Sequence, residues 1–228
     1  MMIIINVMKE TGIFQWMAIK SAKVARGEPF RLMIILSVVT AVTSAFLDNV
    51  TTVLLVAPVT LLICEALEVD VIPFLITEAI ASNIGGTATL IGDPPNIMIA
   101  SKADLTFMDF IYHLTPVVIV ILIAYLVTLK FIFGRSLRVS DSHKERVMAM
   151  DESTAITDRP LMVKSLCVMG FVVLGFVFHH QLHFQPATIA LAGAALLLLL
   201  SRAEPHKILE AVEWPTLFFF IGLFIIIG

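Results

Sequence analysis

One uninterrupted apolar run, Phe107–Phe133, exceeds the ~20 residues that an α-helix needs to cross the hydrocarbon core of a bilayer. Further apolar runs surround it, at Leu32–Leu47, Val50–Leu67, Pro73–Ser101, Leu161–Phe178 and Pro186–Leu200. Over 228 residues, 59% of side chains are hydrophobic and 14% charged, and the mean hydropathy is +0.98. A soluble domain carries about 25% charged residues. A globule of this length could not hide so much apolar surface, so the excess calls for lipid. The composition excludes a soluble enzyme and a disordered chain. It predicts an all-α membrane protein with the lipid bilayer as partner. A net charge of −3, without a basic tract, excludes nucleic acid. Cys64 and Cys167 sit alone in apolar runs, with neither disulfide nor metal spacing.

Polar segments divide the runs. Lys9–Arg31 carries Lys9, Lys20, Lys23, Arg26 and Arg31, with Ile13, Phe14, Met17, Ala18 and Ser21 at helical spacing. It reads as an amphipathic helix, 9–31, on the membrane surface. The arms Leu32–Leu47 and Val50–Leu67 flank Asp48-Asn49 and are about 16 to 18 residues long, short for a crossing. Residues 32–67 therefore read as a re-entrant hairpin, with two short spanning helices as the alternative. Residues 73–101 read as a broken helix, followed by a span at 107–133 that bends at Pro116. Spans at 161–178 and 186–200, joined by His179–Gln185, precede an apolar run from Trp214. Basic residues cluster in 9–31, 130–164 and 202–207 and are absent from 179–185. The positive-inside rule then puts 9–31, 134–160 and 201–213 in the cytoplasm, and 179–185 outside a cell membrane.

Both terminal runs are too short to span, and Leu223–Gly228 lines up with Met1–Asn6 almost one chain length away. The expectation is a fragment holding about one inverted repeat of a two-repeat secondary transporter. Residues 1–134 would be the first-repeat transport region and 135–160 a cytoplasmic linker. Residues 161–228 would begin the second repeat.

Two polar interruptions carry the chemistry. Asp48 lies 17 residues past Arg31, roughly 25 Å along a helix, and an ionised Asp at such depth is costly. Ser44, Asn49, Thr51 and Thr52 surround it in sequence. Asp48 and Asn49 can cap the returning arm, and non-helical backbone at depth also suits a cation or proton site. The second interruption runs from Ser82 to Asn96, with Gly85, Gly86 and Gly92, Thr87 and Thr89, Asp93, Pro94 and Pro95. Glycines free carbonyls to point at an ion. The prolines restart a helix whose N-terminus offers a positive dipole end to an anion. A phosphate loop is excluded, because no Lys follows the glycines.

The remaining polar residues read as structural. Glu78 reads as reaching the interface near the end of its span. Glu65, Glu68 and Asp70 read as a solvated acidic turn, and His179, His180 and His183 as a wet interfacial turn. His113 reads as interfacial, and Phe218–Phe220 as facing lipid or packing.

The segments Ser44–Thr52 and Asn83–Asn96 resemble the ion transporter superfamily, in its citrate-transporter-like ArsB/NhaD permease branch, closest to the P protein group. The resemblance covers nearly the whole chain, including Glu213-Trp214-Pro215-Thr216. It implies two inverted halves, a scaffold and a mobile transport domain, a homodimer at full length and an elevator motion. Related sodium-coupled dicarboxylate carriers have Ser-Asn-Thr at the first tip. Here Asp48-Asn49-Val50 stands there, so Asn49 fits while Asp48 and Val50 depart. The second motif matches at Gly85, Gly86, Thr89, Gly92, Pro94, Pro95 and Asn96.

The expected function is secondary active transport of a small inorganic or organic anion, coupled to Na⁺ or H⁺, with no cofactor and no catalytic residue. Substrate contacts are assigned to Asn49, Thr52, Thr87, Thr89, Pro95 and Asn96. Ion binding or proton coupling is assigned to Asp48, Asn49, Ser82, Asn83, Gly85, Gly86 and Asp93, with Na⁺ placed at Asp48, Asn49 and Gly85. A Na⁺/H⁺ antiporter and a non-transporting membrane subunit are the alternatives. A membrane enzyme finds no nucleophile–base pair.

Overall fold

The computed structural model describes residues 1–134, 137, 139–182, 184–201 and 205–227, except the side chains at 179, 180, 182, 205, 220, 224 and 227. The expectations for His183, Arg135, Arg138, Arg202 and Gly228, and for the side chains of His179, His180 and Phe220, lie outside the described residues. All regular structure among the described residues is helical. Among the described residues, three helical stretches are long and apolar enough to cross a bilayer: Asn49–Leu67, Phe107–Phe133 and Arg159–Phe178. The chain is an all-α membrane protein.

Packing groups the chain as Gly12–Thr157 and as Met1–Thr11 with Asp158–Gly228. The division at 157/158 lies beside the expected boundary at 160, while residues 135–157 group with the segment before them and Met1–Thr11 with the segment from Asp158. The first helix, α1 (Met2–Glu10), buries Ile4, Ile5, Val7 and Met8 within the latter unit. It stops at Thr11, whose hydroxyl donates to the Met8 carbonyl at 2.6 Å.

The Gly12–Thr157 unit begins with α2 (Ile13–Val24). A single helix over 9–31 does not form. Gly12 (φ +77°) precedes α2, and Arg26 (φ +55°) and Gly27 (φ +66°) follow it, all in the left-handed region that a continuing helix cannot use. Pro29 opens α3 (Pro29–Ser44), supplying the pre-set φ of a first helical turn. A short turn leads to α4 (Asn49–Leu67), which Glu68 ends in a left-handed conformation. Next come α5 (Ile72–Gly86), a non-helical stretch, and α6 (Pro94–Ala103), which starts on two prolines. Thr106 and Asp109 form a reciprocal capping box at α7 (Phe107–Asp109). One π-turn, Phe110–Leu114, joins it to α8 (Thr115–Phe133).

The core lies where α2, α3, α4 and α5 meet, around Met33, Leu36, Ile63, Leu67 and Phe74. Residues expected as a cytoplasmic linker fold onto this core as α9 (Asp141–Met148) and a 3₁₀ turn (Glu152–Ala155), burying Val147 and Ala155. The linker backbone passes close to both left-handed glycines. A Cβ at Gly12 would collide with the Ala155 carbonyl, and one at Gly27 would lie 2.9 Å from the Lys144 Cα. Glu68 of the acidic turn is exposed and pairs with Arg146 at 3.0 Å.

The other unit continues with α10 (Arg159–Leu182), α11 (Pro186–Ser201), α12 (Pro205–Glu210) and α13 (Trp214–Ile227). Gly193 lets α10 and α11 close up, because a Cβ there would strike the Val172 side chain. The Asn6 amide of α1 donates to the Ile208 carbonyl of α12 at 3.4 Å.

Candidate functional site

The two interruptions singled out in sequence meet in space. Asp48 caps α4: its carboxylate accepts from the Thr51 amide at 2.8 Å and the Thr51 hydroxyl at 2.6 Å. Such a cap satisfies N–H groups that a helix start leaves without partners. One residue on, the Asn49 amide donates to the Asn83 side-chain oxygen at 2.8 Å, linking the start of α4 to the last turn of α5. The Ser44 hydroxyl, at the end of α3, donates to the Ser82 carbonyl at 2.7 Å.

Residues 87–93 then fold back against the end of α3. The Thr89 hydroxyl donates to the Ala45 carbonyl, and the Thr115 hydroxyl to the Ala88 carbonyl at 2.9 Å. Asn96 holds both sides of the break, its amide donating to the Gly86 carbonyl at 3.2 Å and the Thr89 carbonyl at 2.8 Å. Asn96 is 7% exposed and Thr89 2%. Both side chains, expected as substrate contacts, donate to backbone carbonyls of the two breaks in this conformation.

The glycines serve backbone approach. A Cβ at Gly85 would collide with the Ala41 carbonyl. A Cβ at Gly86 would lie 2.7 Å from the Gly92 carbonyl oxygen, and one at Gly92 2.6 Å from the Ser44 carbonyl oxygen. Asn83, Thr87 and Pro95 are exposed, whereas Asp48, Asn49 and Asp93 are half-buried. Thr52 is buried and its hydroxyl has no hydrogen-bond partner.

Four helix ends converge here. The C-terminal ends of α3 and α5 bring the negative ends of their dipoles, favourable to a cation, and the N-terminal ends of α4 and α6 the positive ends, favourable to an anion; Pro94 and Pro95 carry no N–H, and the amides of Val50, Thr51 and Asn96 are bonded within the site. Asp48 and Asp93 lie within electrostatic reach of each other. No Lys, Arg or His occurs between Arg31 and Lys102, so no cationic side chain from α4, α5 or α6 up to Ser101 balances them.

Sequence reasoning misplaced one residue. Glu78, expected at the interface, is 0% exposed. The reason is packing: α3, α4 and α8 all lie against α5. The Thr60 hydroxyl of α4 donates to Glu78 Oε1 at 2.6 Å, and Oε2 is buried without a partner. The signal was a row of hydroxyls, Ser37, Thr40, Ser44, Thr52 and Thr60, within otherwise apolar helices.

The chain matches the family described as citrate transporter (CitMHS) over residues 1–228. It is 53% identical over 228 residues to an uncharacterized transporter of Mycobacterium tuberculosis, covering 100% of this chain and 53% of that protein. It is 46% identical to a 46 kDa membrane protein of Mycobacterium leprae, with the same coverage. It is 32% identical to the human P protein over a 298-residue alignment that covers 99% of this chain and 36% of that protein. The chain thus spans about half the length of its mycobacterial relatives. The family and these mycobacterial relatives are named as transporters or membrane proteins, not enzymes. Matched from its first residue to its last, the chain belongs to the citrate transporter family.

Proposed function

We propose that this chain is a membrane-embedded part, about one repeat, of a secondary active transporter that carries a small inorganic or organic anion coupled to Na⁺ or H⁺. The observation that carries the reading is the convergence of four helix ends on two polar breaks tied by Asn49 and Asn83. Broken helices at transporter binding sites supply carbonyls for the coupling ion and helix N-termini for an anionic substrate. The cation sits by Asp48, Asn49 and the carbonyls near Gly85 and Gly86, and the anion by Thr87 and the start of α6. The family description makes carboxylates such as citrate the first anions to try. In this reading residues 32–67 enter and leave from the same side as a re-entrant hairpin, and the complete protein is a homodimer of two-repeat subunits in the cell membrane.

A Na⁺/H⁺ exchanger that carries no anion is the second reading. It is favoured by Asp48 and Asp93 lying within electrostatic reach of each other with no basic residue between Arg31 and Lys102.

The test uses the full-length gene product in liposomes under an imposed pH gradient, followed with a fluorescent dye. If one member of an anion panel moves the gradient or accumulates, and Na⁺ with an impermeant anion does nothing, the carrier reading stands. If Na⁺ alone collapses the gradient and Asp48→Asn abolishes the collapse, the exchanger reading replaces it.

A further inference from the structure

Glu78 belongs to neither site proposed above, and its surroundings are unusual for a structural residue. It is 0% exposed, with one donor, the Thr60 hydroxyl at 2.6 Å on Oε1, and nothing on Oε2. Buried structural carboxylates are paired and fully hydrogen-bonded, because an unsatisfied one forfeits its hydration. Among the described residues, no counter-charge stands near. Against α5 pack α3, α4 and α8. From α4, Cys64 lies within electrostatic range of Glu78. From α8, Tyr125 spends its hydroxyl on the Thr77 carbonyl at 2.9 Å. The charged residues of these helices, Arg31, Glu65 and Lys130, are exposed.

What α3 contributes instead is hydroxyls. Ser37 and Thr40 share the helix face of Ser44, which reaches Ser82 of α5. Both are buried with hydroxyls lacking partners. Ser82 in turn is one helical turn from Glu78 on α5. Buried hydroxyl-bearing residues of α3, α4 and α5 therefore occur both beside Glu78, at Thr60, and one turn on, where Ser82 meets Ser44 at the breaks. An ionised Glu78 has a single donor, on Oε1, and nothing on Oε2, whereas a protonated one can turn its O–H to the Thr60 hydroxyl, which accepts as well as donates, so neither form is locked.

We propose that Glu78 is a second proton-binding site, separate from the helix tips: its carboxylate takes up a proton while Thr60 is bonded to it and returns that proton to water when α5 shifts against α4. The only bond formed and broken is the carboxyl O–H. This rests on the carrier reading above and makes H⁺ a coupling ion.

The test uses the full-length protein in liposomes and two readouts. Infrared difference spectra across a pH titration follow the carbonyl stretch of a buried, protonated carboxyl. A band that titrates in the wild type, disappears in Glu78→Gln and changes its midpoint in Thr60→Val supports the site. A spectrum without such a band, or one untouched by both variants, overturns it. Thr60→Val retains the carboxyl, so the assignment survives if Glu78→Gln does not fold. The second readout is transport of the anion identified in the panel. Glu78→Gln is expected to lower pH-gradient-driven uptake at least tenfold while exchange at equal pH falls less than threefold. Equal loss of both modes, or driven uptake at the wild-type rate, overturns the proposal. If the wild type moves no anion, the carrier reading fails, and the infrared titration still decides whether Glu78 binds a proton.

Discussion

The side chains of Asn49 and Asn83, 34 residues apart in sequence, meet at 2.8 Å and join the first turn of α4 to the last turn of α5. The bond ties together the two places where the membrane helices stop and restart. A net hydrogen bond contributes about 1 kcal/mol, and partners in one bond lose it only once. Asn49→Ala and Asn83→Ala should therefore each lower the melting temperature of the detergent-solubilised protein, with a coupling of about 1 kcal/mol in the double variant. Strictly additive losses would show that the contact contributes nothing.

Close backbone approach gives a second expectation. Gly85 faces the Ala41 carbonyl, and Gly92 faces the carbonyls of Gly86 and Ser44. Even one added methyl meets backbone that cannot rotate away, and overpacking of this kind costs about 1–3 kcal/mol. Gly85→Ala and Gly92→Ala should lose folded protein in a heat challenge followed by size exclusion. Gly170→Ala, with open space where its Cβ would be, should stay within about 0.5 kcal/mol of wild type. Similar behaviour of all three would contradict the packing described here.

Much of this was legible in the sequence, and the rest was not for identifiable reasons. Asp48-Asn49 and the Gly85–Asn96 stretch carry their own local signals, caps, prolines and glycines, and these set backbone geometry without help from distant residues. The interruption of 9–31 was also written locally, in Gly12 and Gly27, but the periodic basic and apolar residues outweighed it. Burial of Glu78 was not legible, because its distance from Pro73 along the chain says nothing about which helices close over it. The packing of α1 with residues 158–228 and of Val147 on the core depends on contacts between segments far apart in sequence. Short apolar patterns do not name their partners.

Asn96 provides a third expectation. Its amide donates to two carbonyls across the break and is almost wholly buried. Asn96→Ala leaves both carbonyls without that donor, a loss of about 1–3 kcal/mol. Asn96→Asp does worse at neutral pH, because a carboxylate has no hydrogen to donate and repels both oxygens. The order of thermal stability should be wild type, Ala, then Asp. An Asp variant as stable as wild type would mean that the amide nitrogen does not hold the break.

The linker provides the last expectation, and it concerns pH. Lys23 bonds the Glu152 carboxylate on the 3₁₀ turn, and Lys20 lies 3.9 Å from its other oxygen. The Lys23 hydrogen bond, followed by the backbone amide of Glu152, holds that carboxyl below the ordinary glutamate value. Asp151 is shifted the same way by the Ser153 hydroxyl and then the Ser153 amide. A carboxyl whose folded value is depressed adds stability that is complete above its unfolded value and disappears as pH falls through the folded one. The docking of residues 141–155 should therefore hold at pH 7 and weaken below about pH 4, the ordinary carboxylate range. Limited proteolysis of the full-length protein reads this directly, as a few-fold faster cleavage within 141–155 at acid pH. Glu152→Gln should show the fast rate already at pH 7, and added salt should move wild type towards it by screening the half-buried pair. Cleavage in Glu152→Gln at the slow wild-type rate would show that the buried apolar residues Val147 and Ala155, rather than the ion pair, hold the linker in place.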